Sequence, residues 1–358
     1  MTSAASQPAP APAASPPEQE GRAPSLPLRI LRLFLYQREL TPLVILAGLF
    51  LYFTLRAGSN FTSLTSLSAA GELAGPIGGI AIGQVLLLVL AEIDLSAGQI
   101  FLFCPWVEYW LHTNGLPFGI SGGLPIWLSI LLALAVVSAV GAINGLITVL
   151  LNVPSFVTTL AMNFILYGVV LVGSNDASAS PIPLSGQSGF IASVMGNGKW
   201  AEILWVLGAT LILAFLLSRT RFGMRLTATG GNLLGAAEAG VPIRRVKVWA
   251  FVISAFFAGL IGIIDAVQYG TLDPGNEGVA YILYAVGACV IGGTALTGGR
   301  GTVIGAFIGA ILLGVLESGL TVIGVGTNPF YIWVGVVIVF AMALNVQFDR
   351  FIARSRAR

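Results

Sequence analysis

Apolar residues along this chain come in ten long blocks, and the polar and basic residues collect between them. The blocks fall at about 40–55, 64–90, 98–111, 124–151, 156–173, 203–218, 248–269, 279–296, 303–323 and 330–346. Crossing a hydrocarbon core about 30 Å thick takes roughly 20 apolar residues in a helix, and most blocks approach that length. Charges gather between the blocks rather than within them, so the blocks read as membrane-crossing helices. The expected fold class is an all-α membrane protein, a polytopic bundle of about ten transmembrane helices. Two blocks stand out. The second is glycine-rich around Gly71, Gly75-Pro76 and Gly78-Gly79, so residues 61–97 read as one span or as a broken or re-entrant pair. The third is short and contains Pro105.

Composition agrees with this reading: of 358 residues, 56% are hydrophobic and 9% charged, against roughly 25% charged in soluble domains. The positions of the basic residues orient the chain. With the N-terminus in the cytoplasm, 15 of the 17 Lys and Arg fall on the cytoplasmic side, and Arg56 and Lys199 alone fall outside. Anionic lipid and the insertion machinery favour that sorting, so both termini are expected in the cytoplasm. Residues 1–27 are rich in Ala, Pro and Ser and read as a disordered cytoplasmic tail. They contain no hydrophobic signal core, so a cleaved signal is not expected. The transmembrane domain is then 28–350, and 351–358 a basic cytoplasmic tail. A net charge of +2 gives no support to nucleic acid as a partner. Cys104 and Cys289 lie inside apolar blocks without metal-ligand spacing, and the lone His112 reads as interfacial, so no metal site is expected.

Two connections are longer than the rest: 174–202, polar and outward-facing, and 219–247, basic and cytoplasmic. In the second, Asn232 can cap a short helix, Ala236, Ala237 and Ala239 favour one, and Gly240 followed by Val241-Pro242 stops it. Such a segment can dock into a cleft of another protein or lie as a basic loop on the lipid surface. The residues alone favour neither.

Five segments, in order, resemble the ribose/xylose-type ABC transporter permeases, the binding-protein-dependent inner-membrane components of monosaccharide importers. They are Ile93-Asp94-Leu95-Ser96-Ala97-Gly98; Gly145-Leu146 to Pro154-Ser155-Phe156-Val157-Thr158-Thr159-Leu160; Thr220-Arg221-Phe222-Gly223 through Gly230-Gly231-Asn232, Ala236-Ala237 and Ala239-Gly240-Val241 to Lys247; Val290 to Gly301; and the small-residue span Gly305 to Gly319. The resemblance covers about residues 40–350. It implies a permease that pairs with a second permease copy in the bilayer, as homodimer or heterodimer. An ABC ATPase subunit would grip the cytoplasmic loop, and an extracytoplasmic sugar-binding protein would deliver a monosaccharide. The resemblance assigns Arg221, Gly223, Asn232, Ala236, Ala237, Ala239, Gly240, Val241 and Lys247 to the ATPase-coupling loop. Gly196-Asn197-Gly198-Lys199-Trp200 does not make a phosphate loop. No cofactor is therefore expected in this chain: ATP and Mg would bind the partner ATPase, and the chain itself would not be an enzyme.

Polar residues inside a membrane are costly and mark pathways. Glu72, Gln84, Asp94, Ser96, Asn144, Asn163 and Thr294 are the candidates to line the translocation pathway, with Asp94 or Ser96 also able to cap the following helix. Trp106, Tyr109 and Trp110 could stack on a sugar or sit in an interfacial belt. The chain departs from the family pattern at Ala91-Glu92, where glycines would be expected, and at the bulky Phe101 to Trp106. Two other readings are a permease for another small solute, such as a branched-chain amino acid or nucleoside, and an ion-coupled secondary transporter using Asp265, Glu92 and Glu317.

Overall fold

The computed structural model describes residues 39–116, 120–121, 123–174, 182–183, 194–195, 200–272 and 277–356. The tail 1–27, residues 357–358 and most of the outward connection 174–202 lie outside the described residues. The fold is helical. Long helices are α1 (Leu40–Ala57), α2 (Leu64–Val89), α3 (Ala97–Asn114), α4 (Ile126–Leu150), α5 (Ser155–Gly173) and α6 (Ala201–Arg219). Two short ones follow, α7 (Arg221–Gly231) and α8 (Leu233–Glu238). The chain then continues through α9 (Ile243–Tyr269), α10 (Glu277–Ile291), α11 (Val303–Val322) and α12 (Thr327–Arg356). Among the described residues the extended structure amounts to two two-residue antiparallel ladders, Gly115–Leu116 with Ile120–Ser121 and Ile182–Pro183 with Thr271–Leu272.

Each of the ten apolar blocks falls on a helix. Seven are long and apolar enough to cross a membrane: α1 with its short extension to Asn60, α2, α4, α5, α6, α9 and α11. The apolar parts of α10 and α12, Gly278–Ile291 and Pro329–Leu344, are shorter. α3 carries Gln99, Glu108 and His112 and is not among the seven. α12 has no proline after its first turn and runs on to Arg356, so helix occupies most of the segment expected to be a tail.

α2 is the axis of the bundle. Its most apolar window is 89% buried, and it packs on α11, α9, α10 and α6. Block 64–90 is one continuous helix despite Pro76. Its glycines serve close approach rather than a break: between helices in lipid, small residues let backbones meet where no hydrophobic force pulls them together. A Cβ on Gly79 would fall 2.5 Å from Ile261 of α9, and Gly314 of α11 answers from the other side, where a Cβ would fall 2.1 Å from Ala70 O. α3 also passes through its proline unbroken. Pro105 cannot donate to Phe101 O, and that carbonyl faces Gly262 of α9, where a Cβ would lie 1.9 Å away.

The periphery is apolar and uncovered. Leu131, Phe164, Phe215 and Ile332 are all more than half exposed. Water would not tolerate so large a surface, whereas acyl chains match it. The molecule is an integral membrane protein. Cys104 and Cys289 are buried free thiols, and His112 Nδ1 lies 2.8 Å from Leu124 O.

Candidate coupling site and buried polar core

At one end of the bundle the chain leaves α6 through Thr220, whose Oγ1 accepts from Gly223 N at 3.2 Å and opens α7. Gly223 fits tightly there, since a Cβ would fall 2.0 Å from Leu217 O. Arg221 is exposed. Asn232 ends α7 in an extended conformation, and its Oδ1 accepts from Gly235 N at 2.9 Å, capping α8. α8 closes on two bonds: Gly240 N donates to Ala237 O at 2.9 Å, and Val241 N to Ala236 O at 3.0 Å. This paired stop needs a left-handed residue at its centre, and Gly240 supplies it with φ +75°. Ala236 is buried against the bundle, while Ala237, Ala239 and Gly240 face outward. Leu233 and Leu234 are exposed as well, Leu234 to 76%.

The C-terminus of α2 is where this segment bears on the bundle. Val89 O is one of the carbonyls left over at a helix end. Gly299 N donates to it at 2.7 Å, and Gly230, at the end of α7, presses so close that a Cβ would lie 1.7 Å away. Three chain segments meet on one oxygen. α2 then stops as α8 does: Ala91 N donates to Leu88 O and Glu92 N to Leu87 O, both at 2.9 Å. Here the left-handed position is held by an alanine, Ala91 at φ +58°.

Beyond Ala91 the chain passes through irregular residues 92–94 and a turn at Leu95-Ser96 to α3. The N–H groups it offers are two residues apart, and hydroxyls four apart on a helix share one face. The two spacings meet: Ile93 N donates to Ser155 Oγ at 3.1 Å and Leu95 N to Thr159 Oγ1 at 3.0 Å, both on α5. Asp94 is fully buried between them. Its Oδ1 accepts from Ser96 N at 2.9 Å and Ser96 Oγ at 2.5 Å, and Asn144 Nδ2 donates to that same Ser96 Oγ at 2.9 Å. Ser96 therefore bridges Asp94 to α4 and makes no side-chain cap on α3. Burial pushes the Asp94 carboxyl up to about 6, with the bonds from Ser96 holding it back. Glu92 forms an ion pair with Lys247 at the start of α9.

Of the pathway candidates, the structure joins Asp94, Ser96 and Asn144 by hydrogen bonds and leaves the others apart. Gln84 on α2 is fully buried, with neither amide atom hydrogen-bonded. Asn163 on α5 and Thr294 after α10 are buried, and Asn163 Oδ1 and Thr294 Oγ1 have no hydrogen-bond partner. Glu72 sits near the opposite end of α2, beside a cavity.

Residues 67–342 match the family described as branched-chain amino acid transport system / permease component. The chain belongs to this family. The permease is 34% identical to the xylose/arabinose import permease protein XylH of Sulfolobus acidocaldarius, over 90% of this chain and 88% of that one. It is 36% identical to the galactose/methyl galactoside import permease protein MglC of Escherichia coli K12, over 74% and 82% of the two chains. Identity to the ribose import permease protein RbsC of the same organism is 29%, over 82% and 87%. No solved structure matches the chain. These relatives are transport subunits of sugar importers rather than enzymes.

The sequence reading missed several residues that build this end of the permease. Ser155 and Thr159 were visible as motif letters without a task. Leu233 and Leu234 left a signal, an apolar pair in a basic loop directly after a capping asparagine. The pairing of Glu92 with Lys247 left none, because 155 residues separate them.

Proposed function

We propose that this protein is the membrane-spanning permease subunit of an ABC importer for a monosaccharide, a pentose such as ribose or xylose. A partner ATPase drives it, an extracytoplasmic binding protein supplies the sugar, and a second permease copy completes the pathway. Ten spans with both termini in the cytoplasm, in a bacterial inner membrane, fit the distribution of Lys and Arg and the ten helices under the ten apolar blocks. The observation that carries the reading is the seat of α7 and α8. A short capped helix offers an apolar edge outward, while the helix before it presses on the last carbonyl of the most buried helix. ATP-driven closure of the partner pushes α8, α7 transmits the push through Gly230 to Val89, and α2 shifts with its buried Gln84. The Glu92–Lys247 pair makes α9 follow. Asp94, Ser96 and Asn144 bind α4 to the same block, so the helices move as a set rather than one by one. The printed names of the relatives favour sugars, and the family description favours a branched-chain amino acid as the second reading.

A pull-down of the detergent-solubilised protein tests the class. Wild type should recover an ABC-type ATPase, and Gly240→Trp, a bulky group in open space at a left-handed position, should lose it while still inserting in the membrane. Gly240→Asn, which tolerates that conformation, should keep most of it. A stable wild-type preparation that recovers no ATPase overturns the reading.

A further inference from the structure

The chain enters α7 and α8 from α6 and leaves them into α9, and an apolar groove of about 390 Å³ opens between these two stems. Leu204, Trp205, Gly208 and Ile212 of α6 line it with Phe257 and Leu260 of α9. At the end away from α8, Trp205 Nε1 donates to Val194 O at 3.0 Å. Gly208 keeps the groove deep, since a Cβ there meets nothing within 4 Å. Helical register carries both walls toward α8. Residues three or four apart share a face, so Leu204, Gly208, Ile212, Phe215 and Arg219 form one stripe on α6. Leu260, Phe257, Ile253, Trp249 and Arg245 form the matching stripe on α9. Each stripe ends on an exposed arginine, one turn beyond an exposed aromatic residue: Phe215 is 63% exposed and Trp249 58%. Neither arginine pairs with an acid among the described residues.

Arg219 and Leu204 are 15 residues apart, as are Arg245 and Leu260, and 15 helical residues rise about 22 Å. Half a bilayer with its head groups is about 20–22 Å thick, so each stripe has the length of one phospholipid. Phe215 and Trp249 set the arginines at the bilayer edge, where their stems lie on apolar surface and the guanidinium groups reach head-group level. The occupant has to match an apolar groove with two cations at its mouth. A second copy of this chain, related by a two-fold axis along the membrane normal through the groove, would bring the arginines against their own duplicates. An acidic soluble surface would leave the groove and both aromatic residues uncovered. We propose that this groove binds a phospholipid with an anionic head group, from the leaflet that borders α8. One acyl chain lies along the groove, and Arg219 and Arg245 hold the head group, guanidinium forks being suited to phosphate oxygens. Bound there, the lipid ties together α6 and α9, the two stems of the segment that the partner ATPase pushes. The proposal goes beyond the permease reading, since it needs the bilayer and neither the ATPase nor the solute.

The test uses the full chain in phosphatidylcholine nanodiscs, into which phosphatidylglycerol or phosphatidylcholine with brominated acyl chains is titrated. Bromine quenches tryptophan at contact, and Trp205 in the groove wall reports the chain. Trp205→Phe gives the background from the other tryptophans. Each arginine at an anionic leaflet contributes about fivefold, so phosphatidylglycerol should quench Trp205 at about 25-fold lower mole fraction than phosphatidylcholine. Arg219→Gln and Arg245→Gln should each cut that preference about fivefold, and the double variant should abolish it. Added salt should narrow it. Arg56→Gln, in the last turn of α1, should leave it intact. Gly208→Leu fills the groove and should protect Trp205 from both brominated lipids while the arginines remain. Should that variant fail to fold, the arginine variants, at exposed positions, decide. Equal quenching by the two lipids, a preference that survives the double variant, or a groove-filled protein quenched like wild type overturns the proposal. A wild type without the preference that still recovers its ATPase overturns this site alone. One with the preference that recovers no ATPase overturns the permease reading alone.

Discussion

Leu234→Ala separates docking from folding at the coupling segment. Leu234 is 76% exposed, on a helix whose buried contact is Ala236. Truncation removes about three methylene equivalents, each worth ~0.8 kcal/mol when fully buried, or ~2.4 kcal/mol in all. If the ATPase covers the exposed 76%, ~1.8 kcal/mol of that belongs to the interface, which is a ~20-fold loss of affinity. The remaining ~0.6 kcal/mol belongs to folding and is offset in part by alanine's better helix propensity, a few tenths of a kcal/mol. The variant should therefore melt with wild type in detergent yet bind the ATPase subunit about 20-fold more weakly in biolayer interferometry on nanodiscs. Ala236→Leu makes the reverse case. It forces three carbons into the packed side of α8 and should cost about 1–3 kcal/mol in stability. Leu234→Ala binding within twofold of wild type, or losing affinity only in step with its melting temperature, would refute α8 as the docking edge.

Three further outcomes follow from the end of α2. Ala91 stands left-handed at φ +58°, which costs an L-residue about 1–2 kcal/mol. Ala91→Gly should therefore raise stability by about 0.5–1 kcal/mol after glycine's own entropy is charged against it, read as a higher melting temperature. Gly230→Ala puts a Cβ 1.7 Å from Val89 O, so α7 must move off α2. Stability should fall by about 1–3 kcal/mol, and ATPase activity of the assembled complex should lose its dependence on solute even where the ATPase still binds. Asp94 titrates at about 6 in the folded protein against an ordinary 3.8, so folding favours its protonated form. The stability this contributes is full below pH 3.8 and is lost as pH rises through 6. Asp94→Asn should flatten the melting-temperature profile across that window, and an unchanged slope would show that Asp94 does not titrate there.

What the sequence made legible was local. Hydrophobic blocks predicted helices because their cause lies within each segment, and Asn232, Gly240 and Pro242 predicted where α8 starts and stops for the same reason. Partners were not legible. Ser155 and Thr159 announce hydroxyls one turn apart, but nothing in their own segment says that the N–H groups of Ile93 and Leu95 will meet them. Glycine left α2 open between one span and a broken pair for a related reason. Its backbone freedom is a property of the residue, whereas close approach to Ile261 or Ser254 is a property of neighbours far along the chain. Only packing decides which of the two a buried glycine serves.

The same division explains what the family resemblance can and cannot carry. Four of the five resembling segments converge at one end of the bundle, and there they touch: Ile93 and Leu95 on Ser155 and Thr159, and Gly230 and Gly299 on Val89. Their letters are tied to backbone atoms, through hydrogen bonds or approaches too close for a Cβ, and such contacts are indifferent to what crosses the membrane. Glu72, Glu202 and Glu317 lie toward the opposite end, and only Glu317 falls within a resembling segment, as the one acid in the small-residue run Gly305 to Gly319. Resemblance therefore speaks strongly for how the permease is driven and weakly for its cargo. Relatives named for xylose/arabinose, galactose and ribose all align with most of this chain, so likeness over the whole chain does not by itself name one solute.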